Sequence, residues 1–336
     1  MLFRGIYLAN LNEVPLLDEE SHQKIYASFS LLSMLTPPGP LYPSLGDNGG
    51  PLADPILQLG IKMLSHPMCT ELERARMLQK DADPEILPRD FCSTKAGFLC
   101  SRSSYRHEGN YILMSAKTGC GCSGHNHMDL LSLFLTFRGQ AFIGEPYTDK
   151  LYHSIRMNSE LRGYMYNMTS HNTVLAHGEP VLPDCVYANK WGVYRPDTPV
   201  TEYWTDPKGI YVKAHHDAYT YCRHTRRILF HRTRGLIIRD EMERGNRREK
   251  PHIQRWHLEP GTVCRILNNY SVLMEKNGVS LLWIWTDCCD IRLWKNTSLC
   301  PEIYGSEDML APILDVSFLG PEDKKVDIGT ITLDLL

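Results

Sequence analysis

Three histidines and two carboxylates in the middle third of the chain are well suited to metal binding or proton transfer. His125 and His127 are two residues apart, Glu145 follows them, and His171 stands just before a β-branched pair. Residues i and i+2 of a strand point to the same side, so we expect His125 and His127 to share a face, with Asp129 behind them. Imidazole nitrogens and carboxylate oxygens are zinc ligands. The set therefore favours a Zn²⁺ site over the alternative of packed and surface histidines.

The elements that must position these residues change character near residue 90. Before it, apolar spacing predicts helices over residues 18–35, Pro55–Leu64 and about Thr70–Gln79, with Thr70 capping the last. After it, short β-branched and aromatic runs between turn residues predict an antiparallel β-sandwich. We thus expect a helical segment over 1–88 and a sandwich over 89–336. The predicted strands are Gly97–Arg102, Asn110–Ala116, Asp129–Phe137, Gln140–Ile143, Asn172–Ala176, Ile210–Ala214, Arg226–His231, Gly235–Asp240, His252–Leu258, Val272–Glu275, Ser280–Trp285 and Ile328–Leu335.

Composition excludes several classes of protein. The 336 residues carry a net charge of −3, whereas nucleic-acid binders normally present a basic face, so no nucleic-acid partner is expected. No apolar run is long enough to span a membrane, and the first residues do not form a secretory signal. Eleven cysteines without regular spacing suit a reducing compartment. As the sequence stands, these features predict a cytoplasmic protein.

Three short segments carry a resemblance to a known family. Gly124–Asp129, Gly144–Pro146 and Ser170–Val174 together resemble the metal and cleft motifs of heparinase II/III-like polysaccharide lyases. Arg226–Phe230, Leu236–Asp240 and Gln254–Leu258 extend the resemblance, which covers roughly residues 30 to 260. It implies a helical α/α toroid followed by a large antiparallel β-domain. Since only about three helices precede the strands, the expected fold is mostly β, with N-terminal helices that are a remnant of the toroid.

The resemblance also implies roles for the histidine segment. His127, Glu145 and His171 match the family's zinc-binding residues, although glutamate replaces the usual aspartate. That zinc is chiefly structural and pins loops beneath the cleft. His125 matches a histidine that borders the catalytic cleft, and a role as a fourth ligand or a packed residue stays open for it. Asp129 is not expected to bind the metal itself but to fix the orientation of a histidine that does.

Lyases of this type cut uronic-acid glycans by β-elimination, which needs charge neutralisation at the carboxylate, a base and an acid. Tyr164 and Tyr166 are candidates for the proton steps beside His125. Arg102 and Arg106 are candidates for binding substrate carboxylates. The family's main catalytic tyrosine, which lies in the toroid, has no convincing match. The expected partner is an anionic uronic-acid polysaccharide, of heparin, heparan sulfate or alginate type, and a homodimer is the assembly we consider.

Two other functions remain open at this point. The chain is alternatively a non-catalytic, zinc-stapled sandwich that binds carbohydrate or a partner, as a truncated lyase would. A cupin-type metalloenzyme ranks lower, because its glutamate should follow the second histidine within a few residues. If the N-terminus is incomplete, the resemblance places the protein in the cell envelope or periplasm.

Overall fold

The structure is a computed structural model, and its strands outnumber its helices. From here on, structural statements refer to its described residues. These are residues 2–14, 16–38, 53–94, 97–117, 121–123, 127–144, 166–181, 193–195, 197–244, 250–294, 312–321 and 324–335.

Four helices precede the strands: α1 (Leu2–Leu11), α2 (Glu19–Leu35), α3 (Ala53–Leu64) and α4 (Pro67–Leu78). The sequence did not predict α1. The side chain of Asp18 caps α2 by accepting the amide hydrogen of Ser21. No helix among the described residues is long and apolar enough to cross a bilayer.

The start of α4 corrects a sequence prediction. Thr70 was expected to cap this helix, but the helix begins one turn earlier, with Pro67 in its first turn and His66 at the cap position. Proline suits the first turn because its fixed φ is helical and its missing amide hydrogen would have no partner there. The Thr70 hydroxyl instead donates to the carbonyl of His66.

Nineteen strands are described, and each hydrogen-bonded pair of strands is antiparallel. In chain order they are β1 (Asp90–Ser93), β2 (Phe98–Arg102), β3 (Tyr111–Ser115), β4 (Gly121–Ser123), β5 (Leu133–Phe137), β6 (Gln140–Ile143), β7 (Val174–Leu175), β8 (Val193–Arg195), β9 (Val200–Asp206), β10 (Gly209–Tyr219), β11 (Cys222–His231), β12 (Gly235–Met242), β13 (His252–His257), β14 (Val263–Asn268), β15 (Ser271–Lys276), β16 (Val279–Thr286), β17 (Cys288–Trp294), β18 (Ile313–Phe318) and β19 (Val326–Leu335).

The strands form three main sheets and one small pair. A five-stranded sheet has the order β1-β2-β3-β5-β6, and a four-stranded sheet has the order β17-β18-β13-β7. The largest sheet has eight strands in the order β14-β15-β16-β19-β12-β11-β10-β9, and β4 pairs with β8. Buried apolar side chains from all three main sheets join in one core. The predicted mostly-β fold with N-terminal helices is confirmed.

The twelve predicted strands all overlap observed ones, and two of the strands that were missed, β9 and β14, share a physical reason. Most side chains of β9 and β14 are exposed, so neither strand shows the apolar alternation that marks a half-buried strand. By contrast, the apolar run of β5 is buried along its whole length, as expected for a strand covered on both faces. The predicted domain boundary at residue 88 falls between α4 and β1 and stays a prediction.

A buried ion pair lies inside the sandwich. The guanidinium of Arg226 on β11 donates two hydrogen bonds to the carboxylate of Asp240 on β12, from Nε to Oδ1 at 2.7 Å and from Nη2 to Oδ2 at 2.8 Å. Nε2 of His224 and Nε2 of Gln254 also donate to this carboxylate. Burial would raise the pKa of Asp240, but the charges and hydrogen bonds of Arg226 and His224 outweigh it and hold the pKa well below its usual value.

The same network fixes a chain of histidine tautomers. Because the carboxylate of Asp240 can only accept, Nε2 of His224 carries a proton and donates to it, and burial, which lowers the pKa of His224, favours the neutral ring. Its Nδ1 is then an acceptor and receives the Nε2–H of His216, 3.1 Å away. The amide of Ala218 donates in turn to Nδ1 of His216. Every buried polar group along this line therefore has a partner.

Arg226 also reaches the loops outside its own sheet. Its Nη1 donates at 2.7 Å to two backbone carbonyls, those of Leu131 and Asn172. Leu131 has a φ of 58°, a left-handed conformation that non-glycine residues rarely adopt. The bond from Arg226 thus holds the strained turn that leads into β5.

The burial of this pair yields a prediction with an internal control. Arg226→Met should lower the free energy of unfolding by about 3–5 kcal/mol, because it leaves Asp240 charged and buried without its main partner. Arg223, also on β11, makes a similar two-bond pair with Asp217, but both side chains are about half exposed. Arg223→Met should therefore cost less than about 1 kcal/mol. Urea denaturation measures both losses, and equal losses would contradict the assigned importance of the buried pair.

Candidate functional site

The carboxamide of Asn172 joins the segments that build the candidate site. Its Nδ2 donates to the carbonyls of Leu133, at 2.9 Å, and Gly144, at 2.7 Å. Its Oδ1 accepts the amide hydrogen of His257 at 2.6 Å. One fully buried side chain therefore ties the start of β5, the end of β6 and the end of β13 together.

Further bonds set the two histidine-bearing segments side by side. The amide of Met128 donates to the carbonyl of Tyr166 at 2.9 Å. The hydroxyl of Thr173 donates to the carbonyl of Leu130 at 2.7 Å, and the Ser132 hydroxyl accepts the amide hydrogen of Asn172. The segments around residues 127 and 171 are thus held by backbone contacts as well as by packing.

His127 and His171, both predicted zinc ligands, meet in the structure. Their ring centroids are 5.3 Å apart, the rings are inclined by 44°, and each side chain is 2% exposed. Two imidazoles on one tetrahedral zinc, with Zn–N bonds of about 2.0–2.1 Å, have ring centroids roughly 5 Å apart. The distance between the two rings matches this spacing, and the ion itself stays a prediction. His127 lies in an irregular segment, which corrects the expectation that it sits in a strand.

Three other predicted site residues, His125, Glu145 and Tyr164, lie outside the described residues. Gly144, the neighbour of Glu145, is held by Asn172 and by the bond of its own amide to the carbonyl of His257. Within the described ranges, no three His, Cys, Asp or Glu side chains are grouped so that they could hold an ion. The zinc ion and its third ligand stay predictions.

Asp129 is buried, and its partners include a hydroxyl and an ammonium. Its Oδ2 accepts from Ser115 Oγ at 2.8 Å and from Lys117 Nζ at 3.1 Å. Since Ser115 ends β3 and Lys117 follows it, the carboxylate fastens the histidine segment to the five-stranded sheet. The predicted task of orienting a histidine stays a prediction.

Tyr166, a candidate for proton transfer, lies beside the histidine pair. Its ring meets the ring of His127 edge to face, with centroids 4.9 Å apart and an angle of 78°. Its side chain is buried. The structure thus brings together three of the predicted residues, His127, His171 and Tyr166.

The two candidate substrate arginines have different surroundings. Arg102 is fully buried, and its guanidinium donates to the carbonyls of Met34 and Thr36 at the end of α2. Its carbon Cζ also lies 4.1 Å and 4.9 Å from the ring centroids of Tyr105 and Tyr111. This environment corrects the expectation of a substrate contact, because the charged group serves the joint between helices and sheet. Arg106 is exposed and pairs with Glu108.

His257 is a residue of this region to which the sequence assigned no role. It ends β13, is 2% exposed, and lies close enough to His171 to respond to its charge. Burial, with smaller effects from Arg255 and His171, holds the pKa of His257 well below its ordinary value. The Gln254–Leu258 segment drew attention only as part of the resemblance, since local spacing does not show which distant strand a histidine faces.

These features define an antiparallel β-sandwich protein with an N-terminal helical layer and a buried histidine pair. A model of the heparinase II/III-like C-terminal domain matches residues 95–294. This match covers more than half of the chain, and the chain belongs to the heparinase II/III-like family. No curated protein matches the sequence.

Solved structures of similar fold support the assignment. The heparinase III BT4657 gene product has a TM-score of 0.72 and 13% identity, over 96% of this chain and 48% of its own. Heparan sulfate lyase HepC from Pedobacter heparinus has a TM-score of 0.73 and 13% identity, over 99% and 49%. A heparinase III structure has a TM-score of 0.74 and 11% identity, over 99% and 52%. The chain spans about half the length of these structures, and the likeness establishes the fold.

The hydrogen bonds of the Asn172 carboxamide can be tested by replacing its nitrogen with an oxygen. Asn172→Asp replaces the Nδ2 donor by a carboxylate oxygen that faces two carbonyls, so the free energy of unfolding should fall by at least about 3 kcal/mol. Asn167 provides the control, because its Oδ1 accepts from the amide of Thr169 at a helix cap. Asn167→Asp should change the free energy of unfolding by less than about 0.5 kcal/mol, since asparagine and aspartate are about equally good at a helix N-cap.

Chemical denaturation of the two variants and the parent gives the comparison. Similar losses at residues 167 and 172 would mean that the amide donor of Asn172 does not hold the segments together.

Proposed function

We propose that this chain is the sandwich-bearing part of a polysaccharide lyase that cleaves a uronic-acid-containing glycan by β-elimination. The observation that carries the proposal is the family match over residues 95–294, together with the meeting of His127 and His171 at the matching motif positions. The glycan would be of heparin, heparan sulfate or alginate type.

The proposed metal site consists of His127, His171 and Glu145. A Zn²⁺ bound there would supply a positive charge and would hold the loops that carry the motif. The two histidines are pre-positioned by Asn172 and by the Met128–Tyr166 backbone bond. Glu145, which directly follows Gly144 in the chain, would supply the anionic ligand.

The proton steps need groups beside this site. In our proposal His125 borders the substrate and accepts or donates a proton, with Tyr164 or Tyr166 as its partner. Burial of Tyr166 against His127 favours a supporting role for this tyrosine over direct contact with sugar. Arg106 is exposed and is the arginine we retain for a contact with substrate carboxylates. A homodimer stays a prediction.

One observation favours a second candidate function. The described members of the histidine cluster, His127, His171 and Tyr166, are all nearly inaccessible to solvent. A buried cluster of this kind suits a structural metal that staples a non-catalytic, carbohydrate-binding or partner-binding sandwich. The two functions differ in turnover, so an assay of cleavage separates them.

The first functional prediction concerns cleavage. On the correct uronan, the parent protein should produce unsaturated uronides, whose conjugated double bond gives rising absorbance in the near ultraviolet. His125→Ala should abolish this rise while metal content and melting temperature stay at parental values. His22→Ala, on helix α2, should leave the rate unchanged. A metal-loaded parent that cleaves no member of a broad uronan panel would support the non-catalytic staple instead.

The second functional prediction concerns the metal. If the ion joins segments far apart in the chain, its binding stabilises the folded state and a chelator lowers the melting temperature. His171→Ala should melt below the parent and should no longer respond to chelator. His22→Ala should keep both the parental melting temperature and its shift. A His171→Ala variant with the parental chelator response would rule out His171 as a ligand.

A further inference from the structure

The outer face of the eight-stranded sheet carries apolar side chains where a solvated face would carry polar ones. The other face of this sheet belongs to the core, since residues such as Ile228, Ile238 and Trp283 are fully buried there. Side chains alternate along a strand, so the residues between these point outward. In an antiparallel sheet with one face in water, such outward positions are normally polar.

Strand pairing aligns six of the outward side chains in one row across the sheet. The register of β9, β10, β11, β12, β19 and β16 places each of them directly opposite the next. In strand order, the row consists of Trp204, Tyr211, Leu229, Ile237, Ile331 and Ile284. We call this row the apolar band. Directly opposed side chains on one face of a sheet are neighbours, so the band is a continuous surface.

Much of the apolar band is open to solvent. Trp204 is 48% exposed, Ile237 44% and Leu229 39%. On the neighbouring row, Leu333 is also 39% exposed and lies opposite Leu282 of β16. Leaving apolar surface in water is unfavourable, and a contiguous patch of it on a protein marks an interaction site.

Paired charges border the apolar band. The next row on the same face carries the cations Lys213, Arg227 and Arg239, on β10, β11 and β12. Their ion-pair partners are, in the same order, Glu202, Glu241 and Asp327. The three pairs together carry no net charge. A polyanionic glycan or a strongly basic protein therefore finds no opposite charge at this border, whereas two copies of it can meet without repulsion.

The outer face of this sheet is also large enough for a stable dimer. Eight strands about 4.8 Å apart give a width of about 38 Å. Strands of eight residues, such as β12 and β16, are about 27 Å long, so the face measures roughly 1,000 Å². A standard interface takes about 800 Å² from each subunit and has an apolar centre with a polar rim. The apolar band and its border of ion pairs match this layout.

From these observations we propose that the apolar band is the centre of a two-fold interface with a second copy of this chain. In such an interface the same patch of both subunits meets itself, and an uncharged apolar row is complementary to its own copy. The two eight-stranded sheets would pack face to face, with their outward side chains interdigitated. The inference is independent of the proposed function, because it uses no residue of the histidine site.

The test measures the dimer dissociation constant of the parent and three variants by analytical ultracentrifugation. Ile237→Lys places a charge in the middle of the apolar band, where the second copy would bury it without a counter-charge, and Leu229→Lys does the same one strand away. Each should raise the dissociation constant by at least roughly 100-fold, since residues at the centre of an interface carry most of its binding energy.

Ile266→Lys is the matched control. Ile266 is also 44% exposed and belongs to β14 of the same sheet, but it lies opposite the core residue Val272 and therefore on the other face. This variant should keep the parental dissociation constant. Circular dichroism establishes that each protein is folded before it is sedimented, and Leu229→Lys provides the test if Ile237→Lys does not fold.

The outcomes separate the possible occupants of the band. A dimeric parent, with folded band variants that are monomeric and a dimeric Ile266→Lys, supports the inference. A parent that stays monomeric throughout the micromolar range overturns it and leaves the band to a different protein or to solvent. A parent whose dimer survives both band substitutions has its interface elsewhere, and equal loss in Ile266→Lys would show that the effect is not specific to the band. Either result also overturns the inference.

Discussion

The buried pair of Arg226 and Asp240 is the constraint on which the candidate site depends. An arginine inside a sandwich must be neutralised, and Asp240 does so with two bonds while two further donors satisfy its remaining lone pairs. Because Asp240 occupies only two of its nitrogens, the guanidinium has Nη1 left for the carbonyls of Leu131 and Asn172. The large sheet thereby fixes the backbone of both loops that carry histidines.

Gln254 shows how the same network extends into the aromatic core. Its Oε1 accepts from the indoles of Trp256 and Trp285 and from the hydroxyl of Thr330, while its Nε2 donates to Asp240. Four groups from four strands are satisfied by one carboxamide. Buried polar networks of this completeness allow few alternative packings, so they specify one arrangement of the strands.

The features that could be predicted from the sequence are those that depend on residues close together in the chain. Strands such as β5 and β6 could be predicted because consecutive residues form their apolar runs and the turn at Arg138-Gly139 between them. The exposed strand β9 could not, since it lacks the alternation that burial imposes. His127 and His171 were found through their motifs. The contacts that hold them, above all the carboxamide of Asn172, depend on strand pairing between distant segments, which no local spacing reveals.

Arg102 carries a consequence for the unity of the fold. Its charge is fully buried, and in the described chain it is balanced by the carbonyls that end α2 and by two tyrosine faces, with no carboxylate beside it. Detaching the helices would leave this cation in the sheet without the carbonyls that solvate it. We therefore expect the helical layer and the sandwich to unfold together, and an evolutionary exchange of either part would have to preserve the helix end that receives this guanidinium.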